Sequence, residues 1–376
     1  MSGRLPQWFT LMYQTPGEMY PLDEVGRFPA KLSDALGEMD REQSLNWSGQ
    51  LFGNPTILDR LVKTQQYDLD PENVLPVNGG TTMGIFLTCM ALLKPGDEVI
   101  CESPAWTQVG TICERMGIKV NWWHLRSANN WKPDLEELSR LIHPKVKLIY
   151  INHPNNPTGS LLTKEDMAEL CDIASRYGTY VLSDEVYRGL EWQGNDLSPA
   201  VVNFYDRGVS VSSLTKTIGA TGIRFGWLAT REKELLQRCF SIHYDSVLCN
   251  NIFSERIGEK LLEPSRYGRL LKEGKDVGQA NLSALREMVE RDEVWSMTPP
   301  GGAFSCFVKY ETGEPSWDFC TRMLKKKPKG VYLVPGVCYN DDCEYHVRIG
   351  FGVKEDVFRT ALKVLEEGVR EYRGKK

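Results

Sequence analysis

No stretch of this 376-residue chain comes close to the roughly 18 uninterrupted apolar residues that a membrane helix requires. A helical membrane protein is therefore excluded, and no membrane partner is expected. The chain also lacks a basic surplus, since 45 Lys and Arg face 50 Asp and Glu for a net charge of −5. Without a positive field to neutralise phosphates, it is not expected to bind nucleic acid. The one basic cluster, Lys325-Lys326-Lys327-Pro328-Lys329, reads as a solvated helix end and turn. None of the ten cysteines forms a Cys-x-x-Cys pair, and neither Cys338 nor Cys343 has a histidine or cysteine at zinc-like spacing, so no metal site is expected. The first residues lead into polar and aromatic positions without the apolar core of a secretory signal. The expectation is a cytoplasmic protein with reduced thiols.

What is present points to a large α/β protein. The length exceeds the roughly 250–300 residues of a usual single core, so one large domain with a smaller companion is expected. Residues 1–45 read as an arm with short helices, contributing to the small domain; 46–260 as the large domain; and 261–376 as the small C-terminal domain. From residue 54 onward, strand-like apolar runs alternate with helical patterns. They end at Val77, and fall at 97–101, 147–152, 179–183 and 208–212. Such alternation implies a mainly parallel sheet sandwiched by helices. After a long charged helical stretch at 261–290 the pattern becomes α+β, with strands near 303–308 and 345–351 and a closing amphipathic helix from Glu355.

Each expected strand of the large sheet ends in a polar cluster, and open α/β sheets bind ligands at those carboxyl ends. Asn78-Gly79-Gly80-Thr81 opens a helix, where small residues let backbone N–H groups face an anion; the alternative is a plain glycine turn. Lys216 follows an apolar strand, with hydroxyls at Ser213 and Thr215 and a guanidinium at Arg224. That grouping suits a Schiff base beside an anchored phosphate, as pyridoxal phosphate would need; the alternative is a solvated loop lysine.

Taken together, Asn78-Gly79-Gly80-Thr81, Asn152-His153-Pro154-Asn155-Asn156-Pro157-Thr158-Gly159, Asp184-Glu185-Val186-Tyr187, Ser213-Leu214-Thr215-Lys216 with Arg224, and Val347-Arg348-Ile349 resemble the fold-type-I pyridoxal-phosphate enzymes of the class I/II aminotransferases. The resemblance spans about residues 45–355. It implies that Lys216 forms the Schiff base and acts as general base, that Asp184 holds the pyridine nitrogen, and that Asn156 and Tyr187 bond the ring's phenolic oxygen. Trp106 is expected to stack on the ring, and Gly80, Thr81, Ser213 and Arg224 to hold the phosphate. Arg348, with Asn156 beside it, is expected to bind the substrate carboxylate, a task for which a planar fork suits arginine better than lysine. The implied partners are an amino-acid substrate, a keto-acid co-substrate and a second copy of the chain in a homodimer.

The same residues serve transamination and β-elimination, replacement or cyclisation. Trp8-Phe9 with Tyr13, and Val334-Pro335-Gly336-Val337-Cys338-Tyr339 leading to Val347-Arg348-Ile349-Gly350-Phe351-Gly352, are similar to the capreomycidine synthase branch. A cofactor-binding sensor is a further alternative. It would need a basic DNA-reading domain ahead of the fold, for which residues 1–45 are too short and insufficiently basic. Two positions depart from the family pattern. Ser48, beside Trp47, stands about where a tyrosine commonly reaches the neighbouring subunit's phosphate. His153, next to the asparagine loop, is expected to be a satisfied loop residue or to face the substrate.

Overall fold

The apolar stretch Val-Lys-Leu-Ile-Tyr-Ile-Asn becomes the strand Val146–Asn152 near the middle of a seven-stranded sheet, almost wholly buried. Its near-continuous apolarity is what a strand covered by helices on both faces requires. In the computed structural model, which describes residues 3–35, 44, 46, 49–194 and 196–374, the sheet order is Val74–Asn78, Phe225–Thr230, Gly208–Ser213, Tyr180–Asp184, Val146–Asn152, Glu98–Ser103 and Lys119–His124.

Pairing is parallel from Gly208–Ser213 outward to Lys119–His124. Only Phe225–Thr230 runs antiparallel to both neighbours, so the sheet is mainly parallel as expected. The reversal follows from its connection: the segment after Ser213 holds only the short helical turn Thr221–Ile223, and a parallel return needs a crossover of a dozen residues or more, usually a helix. The strand Lys119–His124 was not expected from sequence, because its Lys, Asn and Trp residues show no clean apolar run.

Helix Pro55–Gln65 starts on a side-chain cap, with the Asn54 side chain accepting from Thr56 N at 2.8 Å and proline in the first turn. The charged stretch expected at 261–290 is instead the end of one helix, Ile252–Leu261, and a second, Pro264–Arg291. Pro264, lacking an N–H, sits where the second helix begins.

A four-stranded antiparallel sheet, ordered Val334–Pro335, His346–Gly350, Ser305–Tyr310 and Trp295–Met297, accounts for the later pattern. The arm joins it. Met19–Pro21 pairs in parallel with Gly330–Tyr332, Trp8 Nε1 donates to Leu333 O at 2.8 Å, and Leu5, Trp8, Leu22 and Val25 share one apolar core with residues from Leu282 onward. The arm then continues past the end of His346–Gly350, where Gly350 N donates to Leu22 O (2.6 Å) and Gly352 N to Glu24 O (3.1 Å). A Cβ on Gly352 would stand 1.5 Å from Gly26 O, so only glycine admits the arm here. Among the described residues, no helix is long and apolar enough to cross a membrane.

Candidate functional site

The carboxyl ends of the large sheet's parallel strands, the loop carrying Lys216 and the returning arm enclose a cavity of about 330 Å³. Lys216, Asp184, Tyr187, Thr81, Trp106, Asn156, Arg224 and Arg348 all line it. Gly80 and Ser213 are not themselves on its wall but adjoin it through Thr81, as described next.

At one end, Gly80 adopts φ 72° and ψ −162° ahead of helix Thr81–Leu92, a backbone region open essentially to glycine. Its N–H and that of Gly79 both donate to Arg224 O at 2.8 Å. A Cβ on Gly80 would come within 3.1 Å of the Arg224 guanidinium. Arg224 itself holds a left-handed φ of 54°, which turns its side chain back so that Nη2 donates to Gly79 O at 2.6 Å. Thr81 Oγ1 donates to the buried Ser213 Oγ (2.9 Å), which in turn lies 2.8 Å from Thr215 Oγ1. A helix amino end, three linked hydroxyls and a guanidinium thus meet in one corner, a fit for a phosphate group.

Deeper in the cavity, Asp184 ends its strand fully buried. Its Oδ1 accepts from Val186 N at 3.2 Å, and Tyr150 Oη donates to Oδ2 at 3.4 Å. Among the described residues no cation pairs with it, and burial pushes its carboxyl up to about 7. Such a carboxylate asks for a cationic or N–H partner, which a protonated pyridine nitrogen supplies. Lys216 is half-buried and projects into the same space. Burial, reinforced by the positive charge of Arg348, holds its ammonium below the ordinary lysine range.

Opposite these groups, Arg348 comes from the strand His346–Gly350 and is 2% exposed. Its Nη1 donates to Asn156 Oδ1 and its Nη2 to Asp23 O, each at 3.1 Å, while Nε has no partner. With no ion-pair partner among the described residues, this guanidinium is open to a carboxylate. Asn156 is held by its own N–H, which donates to Asn152 Oδ1 at 3.0 Å; Asn152 Nδ2 donates to Asp184 O at 3.0 Å.

His153 does not face the cavity. It is buried, with Nε2 2.7 Å from Glu102 Oε1 and Nδ1 3.3 Å from Ser160 O, while Glu102 Oε2 accepts from Asn152 N at 3.0 Å. The expectation of a satisfied loop residue holds, and a substrate-facing histidine does not. Trp47 and Ser48 lie outside the described residues. Sequence reasoning gave no role to Tyr150, Phe9, Asp23, Glu24 or, within the asparagine motif, Asn152, which contact Asp184 or line the cavity. For Tyr150 and Asn152 the signal was available, since both alternate on the strand that leads into the asparagine loop.

A lysine, a buried carboxylate without an ion-pair partner and an anion corner at the ends of a mainly parallel sheet, faced by an arginine from the smaller antiparallel sheet, define a fold-type-I pyridoxal-phosphate enzyme. The comparisons agree. The family model for aminotransferase class I and II matches residues 21–365, and the chain belongs to that family, whose members depend on pyridoxal phosphate. It is 30% identical to an aspartate aminotransferase of Thermotoga maritima over 83% of this chain and 79% of that one. It is 26% identical to an aromatic-amino-acid aminotransferase of Thermococcus litoralis over 84% and 81%. The solved structure of a PLP-dependent aminotransferase from Streptococcus suis superposes with a TM-score of 0.89 at 29% identity, covering 98% of this chain and 97% of that one.

Proposed function

We propose that the protein transfers the amino group of an α-amino acid to a keto acid, with Lys216, Asp184 and Arg348 as the principal residues. The convergence of these three side chains on one cavity, from positions far apart in sequence, carries the reading. When bound, pyridoxal phosphate supplies an aldehyde carbon for a Schiff base and a protonated ring that withdraws electrons from the substrate's Cα.

Every other task falls to the chain. Thr81, Ser213 and Arg224 would hold the phosphate, with Gly80, whose N–H is taken by Arg224 O, shaping the helix end beside it instead of donating as expected, and Trp106 would flank the ring. Asp184 would keep a proton on the pyridine nitrogen. Asn156 Oδ1 is occupied by Arg348, which leaves its Nδ2 to donate, with Tyr187, to the phenolic oxygen. Arg348 takes the substrate carboxylate and so fixes which face of Cα meets Lys216. A lysine whose ammonium is destabilised by burial and Arg348 has a ready neutral amine, and Nζ is suited to take the proton from Cα and pass it on. Elimination, replacement or cyclisation of the capreomycidine synthase kind would draw on the same residues, and no feature of the cavity singles it out.

The test is to incubate purified enzyme with amino acids, with and without a keto acid. Acceptor-dependent keto-acid formation is expected, abolished in Lys216→Ala. Product accumulating without acceptor, or full turnover by the variant, would overturn the proposal.

The working form we propose is a cytoplasmic homodimer. An apolar groove of about 900 Å³ between the arm's helix Arg4–Gln14 and helix Thr81–Leu92, lined by Leu5, Phe9, Tyr13, Phe86 and Met90, supports a second copy as its cover, and Tyr13 is 82% exposed there. The ten unpaired cysteines support a reducing compartment. Sedimentation should give twice the chain's 42.8 kDa; a monomer at micromolar concentration would refute the dimer. The division at 45/46 and 260/261 is likewise our reading, supported by the core that the arm shares with residues beyond 282.

A further inference from the structure

Glu102 and His153 face each other away from the cavity wall, and the transfer of an amino group gives neither of them a task. Their side chains are 0% and 2% exposed. Taking an acid and a base out of water is costly, and apolar residues of similar volume often serve a fold as well. What the pair holds in place therefore matters more than the contact itself.

Main-chain pairing between strands Glu98–Ser103 and Val146–Asn152 ends at Cys101 and Tyr150. Past that point the Glu102 side chain takes over, with Oε2 accepting from Asn152 N at 3.0 Å and Oε1 lying 2.7 Å from His153 Nε2. Ser160 O can only accept, so His153 Nδ1 donates to it at 3.3 Å, and both ends of the asparagine loop are tied to one carboxylate. From Asn152 the contacts fork. Its Nδ2 donates to Asp184 O at 3.0 Å, and its Oδ1 accepts from Asn156 N at 3.0 Å. Asn156 Oδ1 then accepts from Arg348 Nη1 at 3.1 Å. Glu102 stands behind Asp184, Asn156 and Arg348 alike, all three of which line the cavity.

We propose that Glu102 and His153 are positioning residues of the reaction, which fix the asparagine loop so that Asn156 Nδ2 meets the cofactor's phenolic oxygen and Arg348 meets the substrate carboxylate. Neither touches substrate or cofactor; both act through Asn152. A loop displaced by a fraction of an ångström would leave the sheet intact and misdirect both contacts, and displacements of that size are costly to a reaction. The inference rests on the aminotransferase reading and deepens it.

Two substitutions separate this role from a merely structural one. Glu102→Gln keeps an oxygen for Asn152 N and turns an N–H toward His153 Nε2, whereas Glu102→Leu removes both contacts. Each variant is loaded with pyridoxal phosphate and followed by KM for the fastest-reacting amino acid and by the pH midpoint of the cofactor's visible absorbance band. A donor on the phenolic oxygen draws off charge that would otherwise hold the proton of the lysine–cofactor linkage, so a misplaced Asn156 raises that midpoint. Lys216, Asp184, Tyr187, Arg224 and Arg348 line the cavity in every variant, so the comparison isolates the pair. Glu102→Leu should raise the midpoint by about one pH unit and KM by ~10-fold, each the scale of one hydrogen bond to a charged group. Glu102→Gln should restore both. A leucine variant less stable in urea yet unaltered in midpoint and KM would overturn the inference, as would a glutamine variant equally impaired. Should Glu102→Leu fail to fold, His153→Leu, which releases the Ser160 end of the loop, takes its place with the same expected directions. A wild type that binds cofactor but transfers no amino group would remove the aminotransferase reading, and the band midpoint would still decide the placement of Asn156.

Discussion

Replacing Asp184 with asparagine separates two things that one buried carboxylate combines, chemistry and a cost to the fold. Without cofactor, burial raises this carboxyl from 3.8 to about 7. The folded apoprotein thus holds the proton more tightly than the unfolded chain does. Below pH 3.8 both states are protonated and nothing is lost. As pH climbs from about 4 to 7 the unfolded state ionises first, stability falls, and the full cost is in place above pH 7. A gap of about three pH units at 1.36 kcal/mol each amounts to about 4 kcal/mol.

Asparagine keeps an oxygen to accept from Val186 N, as Asp184 Oδ1 does at 3.2 Å, but has no charge to desolvate. Urea unfolding of the two apoproteins should therefore find Asp184→Asn the more stable by up to about 4 kcal/mol at pH 8, with the difference halved or less at pH 5. The loaded variant should lose on the order of 100-fold or more in kcat, since the electrostatic support for charge leaving Cα is gone. An apoprotein variant no more stable than wild type at pH 8, or a difference that ignores pH, would refute the assignment of Asp184 as a carboxylate awaiting a cation.

Three further outcomes follow from the same geometry. Gly80→Ala forces a Cβ to 3.1 Å from the Arg224 guanidinium at φ 72°, a strain of roughly 1–3 kcal/mol; titrating apoprotein with pyridoxal phosphate should show binding weakened ~10-fold, and unaltered affinity would move the phosphate elsewhere. His153→Leu takes the partner from Glu102 Oε1, 0% exposed at its side chain, and should cost roughly 3 kcal/mol in urea unfolding; a neutral result would mean the contact adds nothing to the fold. Asp23, which faces Arg348, Glu24 and Lys216, is pushed up to about 6 chiefly by burial, against the pull of Arg348. The folded apoprotein thus holds this proton more tightly than the unfolded chain, so Asp23→Asn should stabilise the apoprotein in urea unfolding above pH 6 and leave it unaltered below about pH 4, whereas a difference that ignores pH would refute the burial of a charge there.

Much of the site was legible because its charged parts are costly side chains in or just past apolar strands. A lysine, an aspartate and an arginine in such places need a reason, and Lys216, Asp184 and Arg348 supplied one before their meeting could be seen. The cradle at Gly80 was legible for a related reason: a glycine pair opening a helix has few uses. What stayed hidden was set by partners distant along the chain. Asp23 looks like an ordinary surface acid until Gly350 and Gly352 draw the arm over the cavity. The orientation of His153 depends on Glu102, which arrives on another strand. The direction of Phe225–Thr230 was decided by the shortness of its connection, and the break before Pro264 by one residue in a stretch whose charge pattern looks continuous.

The arm's route also fixes an order of events during synthesis. The strands that bring Asp184 and Lys216 have left the ribosome long before the segment around Gly350 and Gly352 exists, yet residues 19–26 can take their places only against that segment and Gly330–Tyr332. Residues 19–26, translated early, are thus among the last to dock. Until then the cavity lacks a wall and its arginine, and the nascent chain has the phosphate corner and the lysine but no substrate pocket. Capture of the cofactor can precede completion of the enzyme, and selection of a substrate cannot.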